Sequence, residues 1–129
     1  MPKPTPMPGG DLEYAVLVAL WEHGPATARA LHARVGEPQA LVYTTVAKVL
    51  DRLVTKALVE RERVGKAFVF RARVTRHRVE RSRATAMLAH LLGSGSPPPV
   101  AALVEAFESV DPDLLEALAV EIARRRGLA

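Results

Sequence analysis

The sequence predicts a mainly α fold with a small β-hairpin, on three observations. Apolar residues recur at helical i, i+3, i+4 spacing through most of the chain. One β-branched, aromatic and Arg-rich stretch folds back around a glycine. The 129 residues are 49% hydrophobic but only 5% aromatic, with 25% charged, the balance of a folded helix-rich protein. Such a length has room for one compact domain and a small appendage, too little for a two-domain enzyme. The chain has no cysteine, which removes disulfides, thiolate zinc sites, thiol nucleophiles and iron–sulfur clusters together. An uncrosslinked chain fits a reducing compartment, so the expected location is the cytoplasm.

Asp11 stands where it could cap a first helix, in which Leu12, Ala15, Val16, Ala19 and Leu20 form an apolar stripe that ends at Gly24-Pro25. Thr27 is the next candidate cap. Behind it Ala28, Leu31 and Val35 line a short second helix that Gly36 and Pro38 should terminate. A third helix is expected from Leu41 to about Ala57, a stretch without Gly or Pro. Val59 to Val64 and Ala67 to Val74 then read as two strands with Gly65 at the turn. Thr75 starts a long helix to about Leu92. Val100, Leu103, Val104 and Phe107 mark a short amphipathic helix, and Asp111-Pro112-Asp113 opens a last one that carries Leu114, Leu115, Leu118 and Ile122 and closes at Arg124, Arg125, Arg126 and Gly127.

Three helices and a β-ribbon in about 65 residues is the outline of a winged helix-turn-helix. The expected organisation is a flexible tail over residues 1–10, a winged-helix domain over 11–74, and a helical dimerisation module over 75–129. The tail has prolines at 2, 4, 6 and 8 and no apolar block, so it reads as neither signal peptide nor anchor. The longest uncharged run, Ala84 to Val104, is interrupted by Gly93-Ser94-Gly95-Ser96-Pro97-Pro98-Pro99, and no membrane insertion is expected.

Charge is unevenly placed. Residues 1–59 hold six basic and five acidic side chains, residues 60–83 hold nine and three, and residues 84–129 hold three and six. The whole positive surplus falls in the hairpin and what directly follows it, a focused field suited to a polyanion. On a helical wheel of the third helix, Tyr43, Val46, Ala47, Val49, Leu50, Leu53, Val54 and Ala57 share an arc of about 160°. Thr44, Thr45, Lys48, Asp51, Arg52, Thr55 and Lys56 fill a separate arc of about 140°. Such a helix should bury one side completely. Threonines with a lysine and an arginine a turn apart suit phosphate oxygens, guanine acceptors and thymine methyls in a major groove. Arg61, Arg63 and Lys66 near the hairpin turn fall where a wing would meet the DNA backbone.

Asp11-Leu12-Glu13, Leu20-Trp21-Glu22-His23-Gly24-Pro25-Ala26-Thr27, Val42-Tyr43-Thr44-Thr45-Val46 and the run Leu50-Asp51-Arg52-Leu53-Val54-Thr55-Lys56-Ala57-Leu58 resemble the penicillinase repressor (BlaI/MecI) family of bacterial winged-helix regulators. The likeness covers most of the chain. It implies a homodimeric transcriptional repressor on double-stranded operator DNA of two-fold symmetry, held together by its C-terminal helices and controlling β-lactam-response or related stress genes. The resemblance places the recognition helix at Val42 to Lys56. Tyr43, Thr44, Thr45, Lys48 and Arg52 become base-edge or nearby phosphate contacts, Arg63 and Lys66 wing contacts, and Thr27 and Arg29 backbone contacts. In members that govern β-lactam resistance, a membrane-bound sensor protease triggers cleavage at an Asn-Phe pair. The aligned pair here is Ala106-Phe107, so the phenylalanine is present and the asparagine is not. Copper-responsive relatives bind metal through cysteines, which this chain lacks.

No other chemistry competes. His23, His32, His77 and His90 include no i, i+4 pair and no accompanying carboxylate cluster, so no metal is expected. Ser82, Ser94 and Ser96 have no nearby histidine and orienting acid, no phosphate-binding glycine loop is present, and neither catalysis nor a cofactor is expected. Leu88, Leu91, Leu92, Leu103, Phe107, Leu114, Leu115, Leu118 and Ile122 exceed what the C-terminal helices can cover by themselves, and a second copy of the chain would cover them. The alternative is a winged-helix adaptor that docks a protein without specific DNA binding. An adaptor has no need of basic residues on both the third helix and the hairpin.

Overall fold

Helix α1 (Asp11–His23) buries Val16, Leu17, Ala19 and Leu20, and around this stripe the first half of the chain assembles. A computed structural model describes residues 10–93 and 99–127. The N-terminal tail and the middle of the Gly/Ser/Pro joint lie outside the described residues. After α1 come a two-residue strand β1 (Ala26–Thr27), α2 (Ala28–Leu31), α3 (Tyr43–Thr55), strands β2 (Val59–Val64) and β3 (Ala67–Ala72), α4 (Arg76–Leu92), α5 (Val100–Val110) and α6 (Pro112–Arg125). The chain divides into two compact units, Met1–Met87 and Leu88–Ala129.

Several local expectations are corrected. Asp11 is the first helical residue of α1, with Gly10 at the cap position and no side-chain cap. Gly36 and Pro38 do not end the second helical segment. The backbone continues from α2 through a π-helical turn, His32–Gly36, and a 3-10 turn, Glu37–Gln39, and stops at the left-handed Ala40. Pro38 is tolerated because the first positions of a helical turn need no N–H donor. The third helix is shorter at both ends than its apolar period. Its carboxyl end closes as a Schellman turn, with Leu58 N–H donating to the Leu53 carbonyl and Ala57 N–H to that of Val54. Ala57 is thus an exposed, left-handed residue at φ 62°, outside the helix whose buried arc it was expected to extend.

The expected hairpin forms, with Val59 opposite Ala72 and Val64 opposite Ala67, and its second strand ends at Ala72 rather than at Val74. Gly65 supplies the positive φ of 62° at the first position of the two-residue turn. The sheet has a third strand that the sequence did not announce. β1 pairs antiparallel with β3, Ala26 opposite Phe70 and Thr27 opposite Val69, giving the order β1-β3-β2. Two residues carry no alternation pattern, so pairing rather than propensity makes this strand.

Leu17, Leu31, Val46, Val49, Leu50, Leu53, Leu58 and Val59 are the fully buried centre of the first unit, each side chain contributing roughly 1.5–3 kcal/mol by leaving water. Trp21 Nε1 donates to the Val74 carbonyl at 2.9 Å and ties the end of the hairpin to α1. Thr75 caps α4 through its hydroxyl, which accepts the Arg78 N–H, and Val79 one turn on is buried. In the second unit α5 and α6 contact each other. Asp111 caps α6 by accepting the Asp113 and Leu114 N–H groups at 3.1 and 3.2 Å.

Ala57 offers a direct test of the Schellman geometry. A left-handed backbone costs a Cβ-bearing residue about 1 kcal/mol relative to glycine. Ala57→Gly should therefore raise stability by about 0.5–1 kcal/mol in urea titration, the gain being trimmed by the more flexible unfolded chain. A lower urea midpoint would contradict the left-handed assignment.

Candidate nucleic-acid interface

Helix α3 has no Gly or Pro to break it and is strongly two-sided. Val46, Val49, Leu50 and Leu53 are buried, and this holds Thr44, Lys48, Asp51, Arg52 and Thr55 in solvent. Thr45 lies at the margin, half-buried. The buried side is less complete than its wheel suggested: Ala47 and Val54 are half-buried, and Tyr43 remains 47% exposed. Tyr43 opens the helix and makes an edge contact to the His32 ring, 6.0 Å between centroids.

Lys56 leaves the outward arc on which its spacing placed it. Its Nζ donates to both Glu13 carboxylate oxygens at 3.0 and 3.2 Å. Glu13 is 4% exposed, the one charged residue that is buried among the described residues, and a buried carboxylate needs such partners. This pair was missed because its members are 43 residues apart. A signal for it exists: Glu13 shares the α1 stripe with Leu17 and Leu20 at i+4 and i+7, a position where an acid must be satisfied.

An open cleft of about 530 Å³ runs between α3, the start of α2 and the hairpin, lined in part by Thr27, Arg29, Tyr43, Asp51, Arg61, Lys66 and Phe68. Thr27 and Arg29, far from the third helix in sequence, are thereby brought beside it. Thr27 also caps α2, its hydroxyl accepting the Ala30 N–H at 3.2 Å. Arg61 crosses the cleft mouth, with its guanidinium 4.9 Å from the Phe68 ring centroid and 4.0 Å from Asp51.

Three arginines of the basic stretch are paired with carboxylates. Arg71 pairs with Glu62 at 3.1 Å and Glu60 at 3.8 Å, and Arg73 with Glu60 at 3.7 Å. Arg76 pairs with Glu80 at 2.8 Å and Glu22 at 3.3 Å. The Arg76 bond, and after it the Tyr14 hydroxyl, hold the Glu80 carboxyl below its usual range. Arg83 stacks on Tyr14 at 3.6 Å. By contrast Arg29, Lys48, Arg52 and Lys66 have no carboxylate partner among the described residues, and Arg63 at the hairpin tip bonds only the Gly65 carbonyl, at 3.3 Å. Sequence counting located the basic stretch. It could not separate cations already paired from those with charge left to offer.

The second unit presents the other expected residues. Leu88, Leu91, Leu114, Leu118 and Ile122 are exposed, Leu92, Leu103, Phe107 and Leu115 half-buried, and no residue of α5 or α6 is buried. Ala106 and Phe107 lie inside α5. Hydrogen bonds from Arg124 and then Arg125 push the Glu121 carboxyl down to about 2. Among the described residues no group of three or more His, Cys, Asp or Glu could hold a metal ion. None of their helices is long and apolar enough to cross a membrane.

Residues 9–124 match the family described as penicillinase repressor. Two curated sequences from strains of Mycobacterium tuberculosis, each named transcriptional regulator BlaI, are 37% identical over 121 residues, which is 93% of this chain and 82% of theirs. Among solved structures, the PcaV transcriptional regulator from Streptomyces coelicolor, in complex with its natural ligand, aligns with a TM-score of 0.51 at 26% identity, over 80% of this chain and 74% of that one. Outward cations on α3 and the hairpin tip, a winged-helix first unit and a match across nearly the whole sequence agree: the chain belongs to the penicillinase repressor family of transcriptional regulators.

Proposed function

We propose that this repressor acts in the cytoplasm as a homodimer on a two-fold symmetric DNA operator. Each protomer lays α3 in a major groove and sets the β2–β3 wing on the flanking backbone. In this reading Thr44, Thr45, Lys48 and Arg52, with Tyr43 at the helix start, reach base edges or adjacent phosphates. Arg63 and Lys66 take phosphates at the wing, and Thr27 and Arg29 take them at the start of α2. One observation carries the reading: Arg29 and Lys66, which have no carboxylate partner among the described residues, line the cleft between α3 and the wing, and Lys48 and Arg52 stand equally unpaired on the exposed side of α3, whereas Arg71, Arg73 and Arg76 are paired. A charge with no internal partner keeps its full attraction for phosphate.

The dimer rests on the second unit. α5 and α6 bury none of their own residues in the single chain, and Leu118 remains 39% exposed. A stable interface buries about 1,200–2,000 Å² in total, and isologous pairing of these leucines would supply it. Two linked half-site contacts then bind far more tightly than either alone, with the half-sites about one helical turn or a multiple apart. A sensor protease acting at Ala106-Phe107 would first have to unwind α5, because that bond lies within the helix.

Selection of bound fragments from genomic DNA tests the reading and returns the operator. An adaptor would enrich no sequence. On the selected operator at fixed salt, Lys48→Ala and Arg52→Ala should each cost about 1–3 kcal/mol in mobility-shift titration while leaving the fold intact. Unchanged affinity in both would remove α3 from the groove. Affinity should also fall steeply with salt through counterion release, and Lys66→Ala should flatten the log–log slope by about 2, one contact per protomer; an identical slope would take Lys66 off the phosphates. Leu118→Asp should dissociate the dimer in light scattering and weaken operator binding. An intact dimer would place the interface elsewhere.

A further inference from the structure

Helix α3 begins without a side-chain cap. Val42 occupies the cap position in an extended conformation, and its side chain bonds nothing. Something else must set the angle at which the helix leaves the preceding turn. The peptide of Leu41, directly before the cap, is gripped from both ends. Its N–H donates to the Gly36 carbonyl at 3.0 Å, and its carbonyl accepts the His32 Nε2 proton at 2.8 Å. Because the acceptor is a carbonyl, Nε2 must carry the hydrogen. The same imidazole meets the Tyr43 ring edge to face. It fits only because residue 36 is glycine: a Cβ there would lie 2.6 Å from His32 Cδ2 and 2.9 Å from Val46 Cγ2.

His32 and Gly36 are the two ends of the π-helical turn. Such turns insert an extra residue into a helical path and recur at functional positions. Here the turn brings ring, glycine and Leu41 peptide together. We infer that His32 is a positioning residue for operator recognition, clamping the Leu41 peptide so that Tyr43, Thr44 and Thr45 arrive at the base edges in register. This rests on the operator reading above. A clamp of this kind acts on discrimination, because base edges demand placement to within a hydrogen bond, whereas long flexible lysines find phosphates from many angles.

The experiment compares the full-length protein with His32→Phe, which keeps a ring beside Tyr43 but has no donor, and His32→Gln, which retains a terminal N–H. Affinities for the selected operator and for a random duplex of equal length are measured at several salt concentrations, with thermal midpoints alongside. His32→Phe should lower the operator-to-random ratio on the order of tenfold, the size of one lost base-pair reading, with the salt slope unchanged. His32→Gln should restore most of that ratio. Equal losses on both duplexes, tracking the thermal midpoint, would make the histidine merely structural and overturn the inference. So would a wild-type ratio in His32→Phe. If His32→Phe does not fold, Gly36→Ala, whose Cβ displaces the ring, should show the same loss of ratio, and a wild-type ratio there overturns the inference equally. A native protein with no preference between the duplexes would instead bring down the operator reading itself, and the clamp with it.

Discussion

Burial of one side of α3 is the constraint on which the rest depends. Val46, Val49, Leu50 and Leu53 are removed from water against α1, α2 and the sheet, worth several kcal/mol together even after discounting for a compact unfolded chain. Rotating the helix by a third of a turn would expose that stripe and bury Lys48 or Arg52. The core therefore decides which side chains face outward. Both ends are then pinned by polar contacts, Lys56 to the buried Glu13 at one and the Leu41 peptide to Gly36 and His32 at the other. The hairpin is registered onto the same frame, since Arg73 N–H donates to the Leu58 carbonyl directly after the Schellman turn. Helix and wing thus share one rigid support.

Electrostatics refines what packing has set. The basic stretch is not uniformly available to a polyanion, because Glu60, Glu62, Glu22 and Glu80 engage Arg71, Arg73 and Arg76 at 2.8–3.8 Å. Exposed pairs of this sort add little to stability, because solvent screens them and two long side chains must be held in place. Their larger consequence is to shape the field. Carboxylates along the hairpin and at the start of α4 hold Arg71, Arg73 and Arg76, while Lys48, Arg52 and Lys66 keep no carboxylate partner among the described residues, and steering follows unpaired charge rather than composition. Asp51 is the exception on the outward face: it draws Arg61 across the cleft mouth, so one wing arginine is held toward the helix.

Legibility in the sequence followed the physics of range. The helices of both units, the hairpin with its turn at Gly65 and the caps at Thr27 and Asp111 are written in residues a few positions apart, and periodicity, turn or capping chemistry reveals them. β1 was hidden because two residues have no pattern of their own and owe their conformation to Phe70 and Val69. The continuation past Gly36 was hidden because glycine and proline ordinarily stop a helix, whereas here the glycine makes room for an imidazole. Of the outward-facing set, Thr44, Lys48 and Arg52 were legible from the wheel. Lys56 was misplaced because spacing fixes a direction on the helix but not what a long side chain reaches, and a carboxylate on α1 drew it inward. The exposed Tyr43 shows the same limit, since an apolar ring at a helix start need not be covered.

The second unit sharpens the contrast between fold and assembly. Its helices form from local signals alone: Asp111 caps α6, and Glu121 bonds Arg124 and Arg125 at its far end. None of their residues is buried, so the hydrophobic term that stabilises the first unit is largely unrealised there within one chain. Helices this short are marginal in water unless an apolar face is covered. If a second copy supplies that cover, the second unit's stability becomes dependent on protein concentration while the first unit's does not. A signal that separates the copies would then leave each winged helix folded but deprived of its linked partner, and operator affinity would fall toward that of a single half-site. In the proposed dimer, a well-packed first unit and a sparsely packed second one would let the DNA grip be released without unfolding the part that holds the DNA.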